Sequence, residues 1–328
     1  MRALVTGGAG FIGSNLTNAL LAAGHSVCVL DDLSTGYADN VPAEADLIVG
    51  DVADESAVAR AVAGADVVFH HAAHRAVLRS VEYPLETDRA NTHGTLTVLK
   101  ASLDAGVQRV VYASSSSVYG GAKERPTPES SPVHPRSPYA VTKLAGELYC
   151  TVFAELYGLS TVSLRYFNVF GPRQRPDSAY AAVIPLFIDA LTTGGSPTVH
   201  GDGGQSRAFA YVDDVVAVNM SAAIAPAEYC RGDVYNIGGL REVTLLEMLD
   251  ILGGILGVEP RPVHVDPRPG DIRHSSADTS AARARLGYEP KVSLEEGLAR
   301  TVAFFAGHPS ASASSAQDEA DGVTVGGG

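Results

Sequence analysis

Neither disulfide chemistry nor a cysteine-bound metal is supported by this chain, because Cys28, Cys150 and Cys230 are its only cysteines. They are odd in number, far apart and without a CxxC spacing, which predicts reduced thiols and a cytoplasmic protein. Basic charge is equally scarce. Against 37 Asp and Glu stand 24 Lys and Arg, a net charge of −13, and no segment concentrates cations as a nucleic-acid surface requires. A phosphate-bearing small ligand stays open, since a few arginines and backbone amides suffice to hold one. Long apolar runs are missing too. The first, Ala3-Leu4-Val5, soon meets glycine, so neither a secretory signal nor a membrane span is expected. No internal repeat is visible.

What is present is an ordinary globular composition, 45% hydrophobic and 19% charged, in a chain long enough for one large domain or two modest ones. Short apolar runs at 2–6, 26–30, 45–49, 67–70, 110–114 and 160–165 read as strands. Amphipathic stretches such as 12–23, 57–63, 91–105 and 137–156 read as helices between them. Strands with two buried faces, separated by helices, predict an α/β fold with a doubly wound parallel sheet. Past Gly171-Pro172 the elements shorten and Pro and Gly multiply. The expected division is a nucleotide-binding domain over 1–170, with some later segments returning to it, and a smaller mixed α/β substrate domain over 171–307. The tail, 308–328, is rich in Ser, Ala, Gly and acids, the composition of a disordered segment.

Gly7, Gly10 and Gly13 follow the first strand and open the first helix. That spacing suits a tight turn, close backbone approach to a pyrophosphate and a helix N-terminus aimed at its charge. By itself it also fits a plain strand–helix turn. The second strand, however, ends at Asp31-Asp32, and Asp31 follows Gly13 by 18 residues. An acid roughly 20 residues on meets the ribose hydroxyls of an adenosine and repels a 2′-phosphate, which points to NAD rather than NADP. Asp51 and Val52 follow the third strand and are placed to reach the adenine; Asp51 fits a helix N-cap equally well. His70, His71 and His74 lack a carboxylate partner and a ligand spacing, so no metal site is expected. Ala72 and Ala73 belong to the same turn, beside the cofactor.

Tyr139 and Lys143 stand at i and i+4, on one face of a helix. They follow Ser114-Ser115-Ser116-Ser117, which sits just after a strand at the carboxyl edge of the sheet, where ligands bind. At these motifs the chain resembles the extended short-chain dehydrogenase/reductase family, whose fold is of the Rossmann type, and within it the UDP-sugar 4-epimerases. The likeness runs from Arg2 to Val302. It is carried by Val27 to Gly36, Ser114 to Gly120, Tyr139 to Lys143, Arg165 to Asn168, Gly201-Asp202-Gly203 and Arg268-Pro269-Gly270-Asp271.

The resemblance implies that Tyr139 takes the proton of the sugar's 4-hydroxyl, that Lys143 favours its phenolate and holds the nicotinamide ribose, and that Ser115 bonds the same oxygen. It extends the cofactor set to Phe11, Ile12, Asp32, Ser34, Thr35, Gly36, Arg75, Asn91 and Phe167. Relatives that eliminate water carry Asp-Glu where this chain has Ser116-Ser117, and decarboxylases carry Glu at the second position, so epimerisation is favoured. Ser116 also falls in the substrate set.

For the substrate, the resemblance implies that Asn168 meets the sugar or diphosphate, that Val183, Thr198, Val199 and His200 surround the uracil, that Arg207 and Arg268 pair with phosphate, and that Asp271 holds the uridine ribose. Ala208 replaces an acid that many relatives carry. Ser275 stands where a bulky aromatic confines some relatives to plain hexoses, leaving room for an N-acetyl group. Arg175 resembles the arginine that pairs with the C6 carboxylate in UDP-glucuronate 4-epimerases. Because pairing an anion is the more specific requirement, the uronate is preferred, with hexoses or N-acetyl sugars next. A homodimer is implied by analogy.

Overall fold

The computed structural model describes residues 1–174, 182–267 and 272–307. Arg175, Arg268, Asp271 and the predicted tail lie outside them. Six strands from the first half of the chain, β1 (Arg2–Thr6), β2 (Ser26–Asp31), β3 (Asp46–Val49), β4 (Val67–His70), β5 (Arg109–Ser115) and β6 (Thr161–Tyr166), join a seventh, Arg231–Ile237. The sheet runs β3-β2-β1-β4-β5-β6 and then the seventh strand, with every pair parallel. Order reverses between β1 and β4. In an open α/β sheet the crevice at that switch point is where a nucleotide lies.

Side chains alternate across each strand. Ala3 and Val5 of β1, Val27 and Val29 of β2 and Val67 and Phe69 of β4 enter one core, with Leu16 and Leu20 of the first helix. Leu4, Cys28, Leu30 and Val68 enter the other, against Val58, Ala61, Val98, Leu99, Cys150 and Phe153. Burial on both faces explains why the strand residues read as unbroken apolar runs. All three cysteines are free and buried.

Two elements run differently from the sequence reading. Strand β5 continues through Ser114 and Ser115, which pair with Arg165 and Tyr166, so Ser115 is a strand residue rather than a loop residue. The expected helix at 91–105 is a π-helical turn, Arg89–His93, followed by the helix Gly94–Asp104. Beyond 170 the chain divides its elements. The helix Val212–Ile224 packs against the first helix, and Arg231–Ile237 completes the large sheet. The rest forms a three-stranded sheet of Glu242–Thr244, Ser206–Ala208 and His274–Ser275, with a parallel pair of Val263–Val265 and Thr198–His200.

Candidate active site

The glycine turn is built by steric necessity. Gly7 has φ +72°, and a Cβ there would stand 2.6 Å from the amide nitrogen of Ala72. A Cβ on Gly13 would overlap the Gly7 carbonyl oxygen. The helix Phe11–Ala22 therefore starts directly against the turn, and no side chain caps it. First-turn amides have no intrahelical acceptor, so this end offers N–H groups and a partial positive charge to an anion. A cleft of about 1150 Å³ opens there.

Around the cleft stand Gly7, Gly10, Phe11, Ile12, Gly13, Asp31, Asp32, Ser34, Thr35, Asp51, Val52, Ala72, Ala73, Arg75, Tyr139 and Lys143. Asp31 also serves the protein itself. Its carboxylate accepts the amides of Ala9 at 2.9 Å and Leu33 at 2.8 Å, fastening the glycine turn to the end of β2. Burial pushes its pKa up in spite of those bonds. Asp51 accepts the Ala53 amide at 2.8 Å and Arg89 at 2.5 Å, while the helix cap is Asp54, whose side chain accepts from Ser56. A carboxylate lining the cleft at the end of β2, a cradle too narrow for a Cβ and an uncapped helix end all fit an NAD.

Three expected cofactor residues stand behind the lining. Gly36 packs on Ala9, where a Cβ would come within 2.6 Å of the Ala9 carbonyl carbon. Asn91 is spent on the protein: it accepts the His74 amide at 2.8 Å and donates to the His74 carbonyl and the Thr142 hydroxyl. Phe167 is buried with Val118 and Tyr119. Asn40 and Arg173 line the cleft without a sequence signal that singled them out, and His71, from the turn expected beside the cofactor, and Tyr166, from the Arg165 to Asn168 motif, line it too. His71 stacks on Tyr166 with ring centroids 6.1 Å apart, and burial lowers its pKa to about 4. His70 bonds Thr6 and Thr95 through its two ring nitrogens. Among the described residues no cluster of three or more His, Cys, Asp or Glu is placed to hold a metal.

The helix Pro138–Tyr157 carries the reactive pair. Ser137 caps it through its hydroxyl, Pro138 occupies the first turn, and Gly158 ends it at φ 72°. The phenol of Tyr139 lies beside the Ser115 hydroxyl, and Ser115 and Arg75 both favour its phenolate. Lys143 Nζ donates to the Ala113 carbonyl at 2.8 Å and sits 6.0 Å from the centre of the Tyr139 ring. Desolvation is the largest influence on both groups, raising the tyrosine's pKa and lowering the lysine's to about 8. The sequence reading expected the lysine to bring the phenol down. In the protein alone burial outweighs that effect, because the ammonium is turned onto a backbone carbonyl. Ser116 opens the turn Ser116–Tyr119, and Ser117 donates its amide to Ser115 Oγ at 3.2 Å.

A second cavity, about 920 Å³, is lined by Asn168, Gln174, Val183, Thr198, His200 and Arg207 among others. Asn168 takes φ 46° and Gln174 is buried. Val199 points into the core instead, as alternation along a strand requires. Ser275 pairs in register with Arg207. Arg207 turns its guanidinium onto the carbonyls of Ser206 and Arg273.

A UDP-glucose 4-epimerase from Mycolicibacterium smegmatis is 41% identical over 312 residues, spanning 93% of this chain and 98% of its own. The structure of UDP-glucose 4-epimerase with UDP-glucose from Thermotoga maritima superposes with a TM-score of 0.89 at 38% identity, covering 94% of this chain and 99% of that one. That of UDP-N-acetylglucosamine 4-epimerase from Methanobrevibacter ruminantium M1, in complex with UDP-N-acetylmuramic acid, gives 0.89 and 38%, covering 93% and 98%. Matches at 36%, 33% and 32% identity include a dTDP-glucose 4,6-dehydratase (Streptomyces niveus), a UDP-N-acetyl-alpha-D-glucosaminuronate decarboxylase (Bacillus cytotoxicus) and a UDP-glucuronic acid 4-epimerase (Bacillus cereus). Residues 3–238, which carry the glycine turn, Asp31, Ser115, Tyr139 and Lys143, match one family as a unit, and the chain belongs to the NAD dependent epimerase/dehydratase family.

Proposed function

We propose that this protein is an NAD-dependent UDP-sugar 4-epimerase. The observation that carries the reading is Tyr139 beside Ser115, with Lys143 one helical turn on, at the wall of a cleft suited to NAD. Bound NAD supplies reversible hydride removal at C4, leaving a 4-keto sugar that is reduced on its other face. The chain's own groups hold and move the proton. Tyr139 takes it from the 4-hydroxyl, Ser115 steadies the shared oxygen, and Lys143 and Arg75 favour the phenolate. The glycine turn and Asp31 hold the adenosine end. Asn168, Val183, Thr198, His200 and Arg207 receive the UDP-sugar in the second cavity.

Elimination of water or carbon dioxide needs further acid–base groups. Ser116 and Ser117, the residues directly after Ser115, are hydroxyls, which favours epimerisation over the dehydratase and decarboxylase chemistry of other relatives. For the sugar, the relatives named for UDP-glucose share 41% and 38% identity and one named for UDP-N-acetylglucosamine shares 38%, which supports the hexose and N-acetyl readings alike. The uronate reading rests on Arg175.

The test is to incubate the purified protein with UDP-glucose, UDP-N-acetylglucosamine and UDP-glucuronate and resolve the products by NMR. C4 inversion is expected; product lacking water or carbon dioxide would sink the epimerase. Arg175→Ala should depress turnover of UDP-glucuronate far more than that of UDP-glucose, and equal losses would remove the uronate from contention.

A homodimer is part of the same proposal. Val141, Leu148, Val152 and Leu156 form one exposed stripe on the helix Pro138–Tyr157, with Leu156 72% exposed. Helices Val77–Glu82 and Pro84–Asp88 pack beside it and add exposed Val77, Leu78, Val81 and Leu85. A continuous apolar surface of this kind is covered by another protein surface in solution, and a twofold axis lets one patch cover its own copy. No helix among the described residues is long and apolar enough to cross a membrane.

A further inference from the structure

Three consecutive residues at the end of β5 meet three successive turns of the helix Pro138–Tyr157. Ala113 accepts from Lys143 through its carbonyl at 2.8 Å, Ser114 donates its hydroxyl to Glu147, and Ser115 lies beside Tyr139, favouring its phenolate. Residues 139, 143 and 147 share one helix face, so these contacts form a ladder between strand and helix. The middle rung has no place in the chemistry described above. Glu147 is gripped by Arg165 of β6, whose Nε and Nη2 donate to its two oxygens at 2.8 and 2.7 Å. The side chains are 7% and 3% exposed for Arg165 and Glu147. Arg165 donates in turn to the Tyr119 hydroxyl at 2.8 Å, and Tyr119 donates to Asn236 at 2.8 Å. Neither Glu147 nor Arg165 lines the cofactor cleft or the second cavity.

A buried ion pair is not an economical way to fill a core, because apolar side chains of equal volume are often as stabilising. Its position explains it better. Lys143 faces Tyr139, Glu147 and Cys150 on its own helix and the ring of Tyr112 on β5, 5.1 Å from Nζ. His70 and His71 approach from the end of β4, kept neutral by burial, and Arg165 stands beyond Glu147 on β6. Of these groups Glu147 alone brings negative charge to the ammonium at neutral pH. Burial and the Arg165 cation both oppose that charge.

We propose that Glu147, clamped by Arg165, is a positioning residue for the reaction: it keeps the Lys143 ammonium charged and, through Ser114, fixes the register in which Ser115 meets Tyr139. The proposal rests on the epimerase reading. Loss of the Glu147 anion removes the attraction that stabilises the cation, so Lys143 releases its proton at lower pH.

Glu147→Gln keeps the shape and the acceptor for Ser114 while removing the charge. In the cofactor-loaded enzyme kcat should fall tenfold or more, with KM for the UDP-sugar within twofold. The alkaline limb of kcat should move down by about one pH unit or more, and Glu147→Asp should restore the limb. A readout free of turnover separates this from the epimerase reading. The chain has four lysines, Lys100, Lys123, Lys143 and Lys291, so ε-13C-labelled lysine gives an NMR titration of Lys143, assigned with Lys143→Gln. Its midpoint should fall in Glu147→Gln and hold in Ser114→Ala, where only kcat drops severalfold. If Glu147→Gln does not fold, Glu147→Asp and Ser114→Ala carry the test. A Lys143 midpoint unchanged in Glu147→Gln, or a kcat that falls only with the folded fraction, overturns the charge role; wild-type kcat in Ser114→Ala overturns the register role. Absence of turnover in the wild-type protein refutes the epimerase reading alone.

Discussion

Lys143 spends one N–H on the carbonyl of Ala113, 2.8 Å away and two residues before the serine that lies beside Tyr139. The bond turns the ammonium onto the backbone, 6.0 Å from the centre of the Tyr139 ring, and burial disfavours charge on both groups. A cationic partner such as an oxidised nicotinamide would favour the phenolate of Tyr139.

If Tyr139 moves the proton, Tyr139→Phe should lower turnover by roughly 10²- to 10⁴-fold while the protein still retains NAD. Product formation from UDP-glucose and the cofactor released on acid denaturation check the two halves. Near-normal turnover in the variant would contradict the mechanism.

The second prediction concerns pH. Burial holds Lys143 down to about 8, so it is cationic below that value and neutral above it. Activity that depends on the cation should therefore decline as pH rises through about 8 rather than near the 10.5 of an ordinary lysine. A kcat/KM profile flat from pH 7 to 10 is the result that refutes it.

Asp31 stabilises the glycine turn through two backbone amides. Asp31→Ala leaves both without their acceptor, at a cost of about 1–3 kcal/mol in urea unfolding, and should weaken NAD binding in a titration. Loss of NAD affinity at unchanged stability would mean that the carboxylate serves the ribose alone.

Leu148→Glu places a charge in the exposed apolar stripe. Sedimentation equilibrium should show the dimer converted to monomer, with the thermal transition of the isolated subunit retained. A variant as dimeric as the parent would place the interface elsewhere.

Much of this was legible in the chain because local patterns report local structure. The apolar runs, the glycine spacing and Tyr139 with Lys143 specify a parallel sheet, a nucleotide turn and a reactive helix face; Asp31 marks the end of β2. Other features depend on which strands become neighbours. Nothing local distinguishes Asn91 as a brace for His74 from a cofactor ligand, or shows Gly36 packed on Ala9 behind the lining. Arg173 reaches the cleft from the far side of the sequence, through Asn15 at 3.1 Å. The ion pair of Glu147 and Arg165 exists because β6 lies beside β5 under the helix. Residue type and spacing put Tyr139 and Lys143 on one helix face, and the resemblance of the motifs around them gave the pair its expected role. Their protonation was decided by the fold, since the desolvation that sets it comes from the elements packed around them.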